Sequence, residues 1–188
     1  MTPAAFLDRD GTLIEDVGYV DRLDRLRLYP WSVEAVRLLR RAGYAAVVVT
    51  NQAGVARGMI SEQIVLDARD HIQLALARAG ERLDGHYYCP HLPDAAVETY
   101  RRSCACHKPA PGMLQRAAAE LSLDLPRSFV IGDRWSDIQT AAAAGCSGIL
   151  VRTGYGASQE AEPPGGVTRP PVVDNLLEAV GWILRQHP

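Results

Sequence analysis

The sequence predicts an α/β fold, on two observations. Short apolar runs alternate with helix-length amphipathic segments along the chain, the pattern of a sheet joined by helical crossovers. Several of those runs stop abruptly at turns carrying acidic, hydroxyl or amide side chains, which is where an open α/β sheet places its ligands. The first run is Ala4-Ala5-Phe6-Leu7, ended by Asp8-Arg9-Asp10-Gly11-Thr12. A helix is expected over 32–42, with Ser32 as N-cap, Val33, Val36, Leu38 and Leu39 on its apolar face, and Gly43 at its stop. The run at 45–49 is almost wholly β-branched or apolar, as in a strand covered on both faces. Ser61 opens a helix running to about Gly80, with Ile64, Ala68, Ile72 and Ala75 or Leu76 inward. A short strand is expected around 86–88, a helix over 111–121 with Pro111 leading, a strand at 129–131 and an Ala-rich helix over 136–144. A strand at 149–151, a Gly/Pro-rich loop over 154–171 and a closing helix over 175–185 complete the chain.

At 188 residues and 47% hydrophobic, the chain can bury one good core but not two, so a single domain over 1–188 is expected. Lys and Arg number 20 against 22 Asp and Glu, a formal net charge of -2, which disfavours nucleic acid and membrane surfaces as partners. Met1-Thr2-Pro3 leads straight into the first strand, without the pattern of a signal peptide, and no stretch approaches a membrane span; a cytoplasmic location is expected. In that setting disulfides are the weaker reading of Cys89, Cys104, Cys106 and Cys146.

Two carboxylates two positions apart at a strand tip repel unless a cation lies between them or one keeps a proton. Metal and proton are what phosphoryl transfer to a carboxylate requires, one Asp attacking phosphorus and the other protonating the leaving oxygen. Thr50-Asn51 at the next strand tip offers hydrogen bonds to phosphoryl oxygens, Lys108 before Pro109 offers a compact positive charge, and Gly132-Asp133-Arg134-Trp135-Ser136-Asp137 follows a further strand. Taken singly, each reads as an ordinary turn, surface lysine or helix-start acid. Separately, Cys89-Pro90-His91 and Cys104-Ala105-Cys106 supply three thiolates and an imidazole, a tetrahedral set for a structural Zn²⁺ with no open position. The segment 92–103 has little apolar content of its own, so a metal would fix its course and, with it, His107-Lys108. Cys146 is expected to be a small buried residue.

The order of these stations resembles the haloacid dehalogenase-like phosphohydrolases, from Phe6 to about Gly154. The resemblance implies a Rossmann-like three-layer sandwich around a mostly parallel sheet, capless, with a zinc-binding loop insertion at about 89–106. It implies Asp8 as nucleophile and Asp10 as general acid, with Thr50 and Lys108 stabilising the transferring phosphoryl. Mg²⁺ would be held by the Asp8 carboxylate, the Asp10 carbonyl and Asp133, with Asp137 a positioning or outer-shell group. Within the family, the zinc loop together with Gly18-Tyr19-Val20, Thr50-Asn51-Gln52, Ala56-Arg57-Gly58 and Val151-Arg152-Thr153-Gly154 resembles the branch acting on heptose 1,7-bisphosphates; histidinol-phosphate phosphatases are the next resemblance. By position Asp16, Val17, Gly18, Tyr19, Asn51, Gln52, Ala53, His107 and Arg134 would touch substrate. That branch carries Arg where this chain has His107, a shorter group without a guanidinium fork. The expected partner is a small phosphorylated metabolite, a sugar bisphosphate, handled by a monomer. A phosphatase of nucleic-acid ends and a non-catalytic zinc-stabilised module are the rival readings.

Overall fold

The computed structural model describes residues 1–165 and 168–186. Six strands form one sheet in the order β3-β2-β1-β4-β5-β6: β1 Ala4–Leu7, β2 Ala45–Asn51, β3 Gly85–Cys89, β4 Phe129–Gly132, β5 Ser147–Val151 and β6 Val172–Val173. Every pairing is parallel. The chain builds outward from β1 on one side through β2 and β3, then crosses to the other side for β4 to β6. β1 is therefore the switch point of the sheet, where a crevice opens at the strands' carboxyl ends.

Seven helices complete the described fold: α1 Ser32–Arg41, α2 Ala53–Ala56, α3 Glu62–Ala77, α4 Gly112–Leu121, α5 Trp135–Ala144, α6 Gly156–Ala161 and α7 Leu176–Gln186. Strand alternation sorts the core into two layers. Ala5, Leu7, Ala46, Val48, Phe129, Ile131, Ile149 and Val151 face α1, α3 and α7. Ala4, Phe6, Val47, Val49 and Val130 face the other way, against Met113, Leu114 and Ala117 of α4 and Ala141 of α5. The result is the three-layer sandwich expected. Among the described residues no helix is long and apolar enough to cross a membrane.

Several elements depart from expectation for local reasons. Ser32 is not an N-cap: it lies inside α1, fully buried, and its hydroxyl donates to the Leu13 carbonyl at 2.7 Å, tying the helix to the acidic turn. β2 continues through Thr50 and Asn51, because β3 pairs with it up to Asn51↔Cys89. On α3, Ala68, Ile72 and Leu76 are buried as expected, while in the first turn Val65 is buried and Ile64 only partly so. Cys146 is half-buried at the margin of the α4/α5 layer, not fully enclosed. α6 interrupts the expected loop over 154–171, of which 166–167 lie outside the described residues, and β6 follows that loop ahead of the closing helix.

α6 escaped notice because its first residue is a glycine, a poor helix former. Here the glycine is required: a Cβ on Gly156 would fall 1.6 Å from the Val151 carbonyl oxygen, since the chain doubles back tightly on the end of β5. Gly156→Ala should therefore lower unfolding stability by about 1–3 kcal/mol, seen as a reduced urea midpoint at unchanged m-value; an unchanged midpoint would contradict the close packing.

Candidate active site

The site forms where β2, β1 and β4 end side by side. Leu7 is in register with Val48 on one side and Ile131 on the other, so Asp8 emerges between them, its N–H donating to the Ile131 carbonyl at 2.9 Å. The turn after it closes on itself through Gly11 N–H to the Ile14 carbonyl at 2.8 Å, and through the N–H groups of Leu13 and Ile14 to the Arg9 carbonyl. Gly11 has φ +78°. The hydroxyl of Thr153 donates to the Gly11 carbonyl at 2.6 Å and pins the turn to the loop after β5.

Lys108 stands at the centre. It is the only lysine in the chain and is 4% exposed. Its three ammonium hydrogens are matched by three acceptors: Asp8 Oδ1 at 2.8 Å, Asp137 Oδ1 at 2.6 Å and the Val49 carbonyl at 3.0 Å. Burial alone would depress its pKa, but the charges of Asp137 and Asp8 outweigh burial and raise it, so it stays an ammonium. Asn51 holds the lysine's backbone from both sides, its amide donating to the Lys108 carbonyl at 3.1 Å and its Oδ1 accepting the Lys108 N–H at 3.0 Å. Asp137 reaches Lys108 because Gly132 leaves room for it; a Cβ there would lie 2.2 Å from the Asp137 carboxylate.

The carboxylates of Asp8, Asp133 and Asp137 bring oxygens within 4.8 Å of one another. Asp133 is fully buried; its Oδ2 accepts the Tyr155 N–H at 2.7 Å, while Oδ1 is enclosed without a hydrogen-bond partner. Burial, reinforced by the nearby Asp8, pushes Asp133 up to about 8. Burial likewise raises Asp8 to about 6, against the pull of Lys108. Converging buried carboxylates, one with an orphaned oxygen, fit a hard divalent cation of the Mg²⁺ type.

Asp10 does not join that cluster through its carboxylate. Arg9, at 1% exposure, donates from Nε to Asp10 Oδ2 and from Nη2 to Asp10 Oδ1, each at 3.0 Å. Gln52 completes the arrangement: its Oε1 accepts from Arg9 Nη2 at 3.0 Å, while its Nε2 donates to Asp10 Oδ2 at 3.0 Å and Thr50 Oγ1 at 2.8 Å.

Above these groups lies a cavity of about 590 Å³ lined by Asp8, Asp10, Thr50 and Lys108 at its floor. Most residues expected to touch substrate lie on its wall: Asp16, Gly18, Tyr19, Asn51, Gln52, Ala53, His107 and Arg134. One of these expectations needs correction, and a second is narrowed. Val17 is absent from the wall and packs against the α1-side core, its carbonyl accepting from Arg25 at 3.0 Å. Gln52 reaches the wall, but both its N–H groups are spent on Asp10 and Thr50, leaving no donor for a ligand. The sequence reading gave no role to three further groups. Arg9 carried a signal, an arginine flanked by two acids. Tyr155 stacks under the Arg134 guanidinium at 3.9 Å, and Arg57, on the rim, contacts the Tyr19 hydroxyl.

Arg134 is further engaged by Asp16 at 3.6 Å, whereas Arg57 has no carboxylate partner among the described residues. His107 turns Nδ1 toward Cys89 Sγ at 3.7 Å, and burial lowers its pKa.

Behind His107, the sulfurs of Cys89, Cys104 and Cys106 lie 3.0–3.5 Å apart, with His91 Nδ1 at 3.4 Å from Cys106 and 3.7 Å from Cys89. Those separations approach the edge of a tetrahedron with metal–sulfur bonds of about 2.3 Å, so the donor set fits a four-coordinate soft metal. The loop does not depend on metal alone: the Tyr100 hydroxyl donates to Glu62 at 2.8 Å, and the Val97 N–H to the Ala56 carbonyl at 3.0 Å.

The raised pKa values of Asp8 and Asp133 fix a sign. Both lie above the 3.8 of a free carboxyl, so the folded chain binds protons more tightly than the unfolded one, and metal-free stability falls as pH climbs from about 4 toward 8. Mg²⁺ competes with those protons. The Mg²⁺-induced rise in Tm should be larger at about pH 8 than at about pH 5; equal rises would argue against a cation among these carboxylates.

The HAD-hydrolase-like family profile matches residues 105–179. The D-glycero-beta-D-manno-heptose-1,7-bisphosphate 7-phosphatase of Photorhabdus laumondii subsp. laumondii is 48% identical over 161 residues, covering 85% of this chain and 86% of its own. The enzyme of the same name from Escherichia coli K12 is 44% identical over 85% of this chain and 84% of its own. The crystal structure of a D,D-heptose 1,7-bisphosphate phosphatase from B. bronchiseptica, complexed with magnesium and phosphate, superposes with a TM-score of 0.86 at 34% identity, over 98% of this chain and 99% of that one. With identity at this level over most of its length, the chain belongs to the haloacid dehalogenase-like hydrolases, in the branch that includes these phosphatases.

Proposed function

We propose that this chain removes the C7 phosphate of a heptose 1,7-bisphosphate through an aspartyl-phosphate on Asp8. The observation that carries the reading is the buried Asp8 carboxylate facing a small-molecule cavity with the Lys108 ammonium hydrogen-bonded to it at 2.8 Å. An Asp8 oxygen forms a bond to phosphorus as the ester P–O bond breaks. Asp10 delivers its proton to the departing C7 oxygen, giving the free alcohol. A water then attacks phosphorus, losing its proton to Asp10, and inorganic phosphate leaves as Asp8 is restored. The Thr50 hydroxyl donates to the phosphoryl oxygens as charge develops on them, and the Lys108 ammonium, its hydrogens held by Asp8, Asp137 and the Val49 carbonyl, offsets that charge electrostatically. Mg²⁺, when held by Asp8, Asp133 and the Asp10 carbonyl, offsets the repulsion between a carboxylate and a phosphate dianion.

The second phosphate needs a cation of its own. His107 is turned toward Cys89 and lacks a guanidinium fork, and Arg134 is engaged by Asp16 and Tyr155, which leaves Arg57 as the rim cation to receive the C1 phosphate. Zn²⁺ on Cys89, His91, Cys104 and Cys106 is the structural metal of this reading, stiffening the loop that carries His107 into Lys108.

Comparing kcat/KM on heptose 1,7-bisphosphate, heptose 7-phosphate and histidinol phosphate tests the substrate. The bisphosphate should lead, and Asp8→Asn should lower turnover at least about 10³-fold. Arg57→Ala should raise KM about tenfold for the bisphosphate and leave the monophosphate nearly unchanged. A preference for histidinol phosphate would overturn the assignment. Metal analysis should find about one zinc per chain, lost in Cys104→Ser; a zinc-free native protein would remove the structural metal.

A further inference from the structure

Among the described residues Arg9 is the largest fully buried side chain, and an isolated buried guanidinium is costly. A buried ion pair is also poor value for stability, since apolar residues of similar volume often serve as well or better. Its surroundings point elsewhere. Arg9 grips both oxygens of Asp10, and Gln52 joins Arg9, Asp10 and Thr50 in one network.

A carboxylate offers roughly four acceptor positions, two on each oxygen. Asp10 Oδ2 accepts from Arg9 Nε and from Gln52 Nε2, whereas Oδ1 accepts only from Arg9 Nη2 among the hydrogen bonds described. Oδ1 thus retains a lone pair for a proton. The Asp10 side chain is 16% exposed and lies on the cavity wall, against 2% for the Arg9 side chain behind it. Gln52 imposes a matching order on Thr50: its Nε2–H fills one lone pair of Oγ1, so the hydroxyl's own hydrogen is free to donate.

We infer that Arg9 and Gln52 are positioning residues that lock the Asp10 carboxylate so that Oδ1 carries the proton delivered to the leaving oxygen. This rests on the phosphatase reading above. Neither residue touches substrate. Each acts by removing rotational freedom from a group that does, the kind of preorganisation that proton transfer in a crowded transition state depends on.

A residue acting through the general acid matters in proportion to how much the leaving group needs a proton. A sugar alkoxide needs one; 2,4-dinitrophenolate does not. The test measures kcat/KM, which reports the steps up to departure of the leaving group, on heptose bisphosphate and on 2,4-dinitrophenyl phosphate. The variants are Arg9→Met, Arg9→Lys and Gln52→Ala, with thermal unfolding as a check of the fold. The aryl-to-sugar ratio should rise by about 30-fold or more in Arg9→Met and about tenfold in Gln52→Ala, with Arg9→Lys between wild type and Arg9→Met. In an Asp10→Asn background, Arg9→Met should change the ratio little further, because both then act on one step. A parallel fall on both esters would assign Arg9 and Gln52 a merely structural role and overturn the inference. Should Arg9→Met fail to fold, Gln52→Ala decides in the same way, since it removes one amide and leaves the guanidinium pair. A wild type inactive on both esters would overturn the phosphatase reading itself and this inference with it.

Discussion

The site depends on one interaction, the Lys108 ammonium bridging Asp8 and Asp137. Three carboxylates brought together at the end of a parallel sheet repel one another, and in a buried setting that repulsion is weakly screened. A single compact cation with three directed donors relieves it in a way that a planar guanidinium would not. Much of the neighbouring architecture then follows as the means of delivering that cation: Asn51 clamps the lysine's backbone, Gly132 admits Asp137, and the cysteine loop leads the chain into His107-Lys108.

What Lys108 does not neutralise is as informative as what it does. Asp133 keeps one oxygen enclosed without a hydrogen bond, and burial raises the pKa values of Asp133 and Asp8. A divalent cation held there would offset the remaining carboxylate repulsion, and the crystal structure of the B. bronchiseptica enzyme is a complex with magnesium. Asp10, two residues from Asp8, is served differently, by Arg9 and Gln52 from inside the protein. Neighbouring carboxylates on one turn thereby acquire distinct environments, the condition for one to attack phosphorus and the other to handle a proton.

Local sequence patterns were legible wherever the chemistry was local. Apolar alternation marked the strands, and the turn after β1, the Cys-x-His and Cys-x-Cys pairs and the Lys-Pro step carried their residues in the open. Misreadings arose where a side chain answers to something distant. Ser32 looks like a cap but bonds to Leu13 across the fold. Gly156 looks like a loop residue but permits a helix to start against β5. Gln52 looks like a ligand contact and is spent on its neighbours, and Val17 belongs to the core.

The sequence by itself determined the α/β architecture, because apolar periodicity is a property of short segments, and its order of residues at strand ends carried the family resemblance, beside three cysteines and a histidine spaced as a metal-ligand set. Only the tertiary structure decided how those stations divide their work. Lys108 and Asp137 meet across 29 positions and Lys108 and Asp8 across 100, and while Arg9 is committed to Asp10, Arg134 to Asp16 and His107 to Cys89, Arg57 has no carboxylate partner among the described residues. Whether a charged group is satisfied or available depends on which partners folding brings within hydrogen-bond reach, and that is set by the register of the strands and not by distance along the chain.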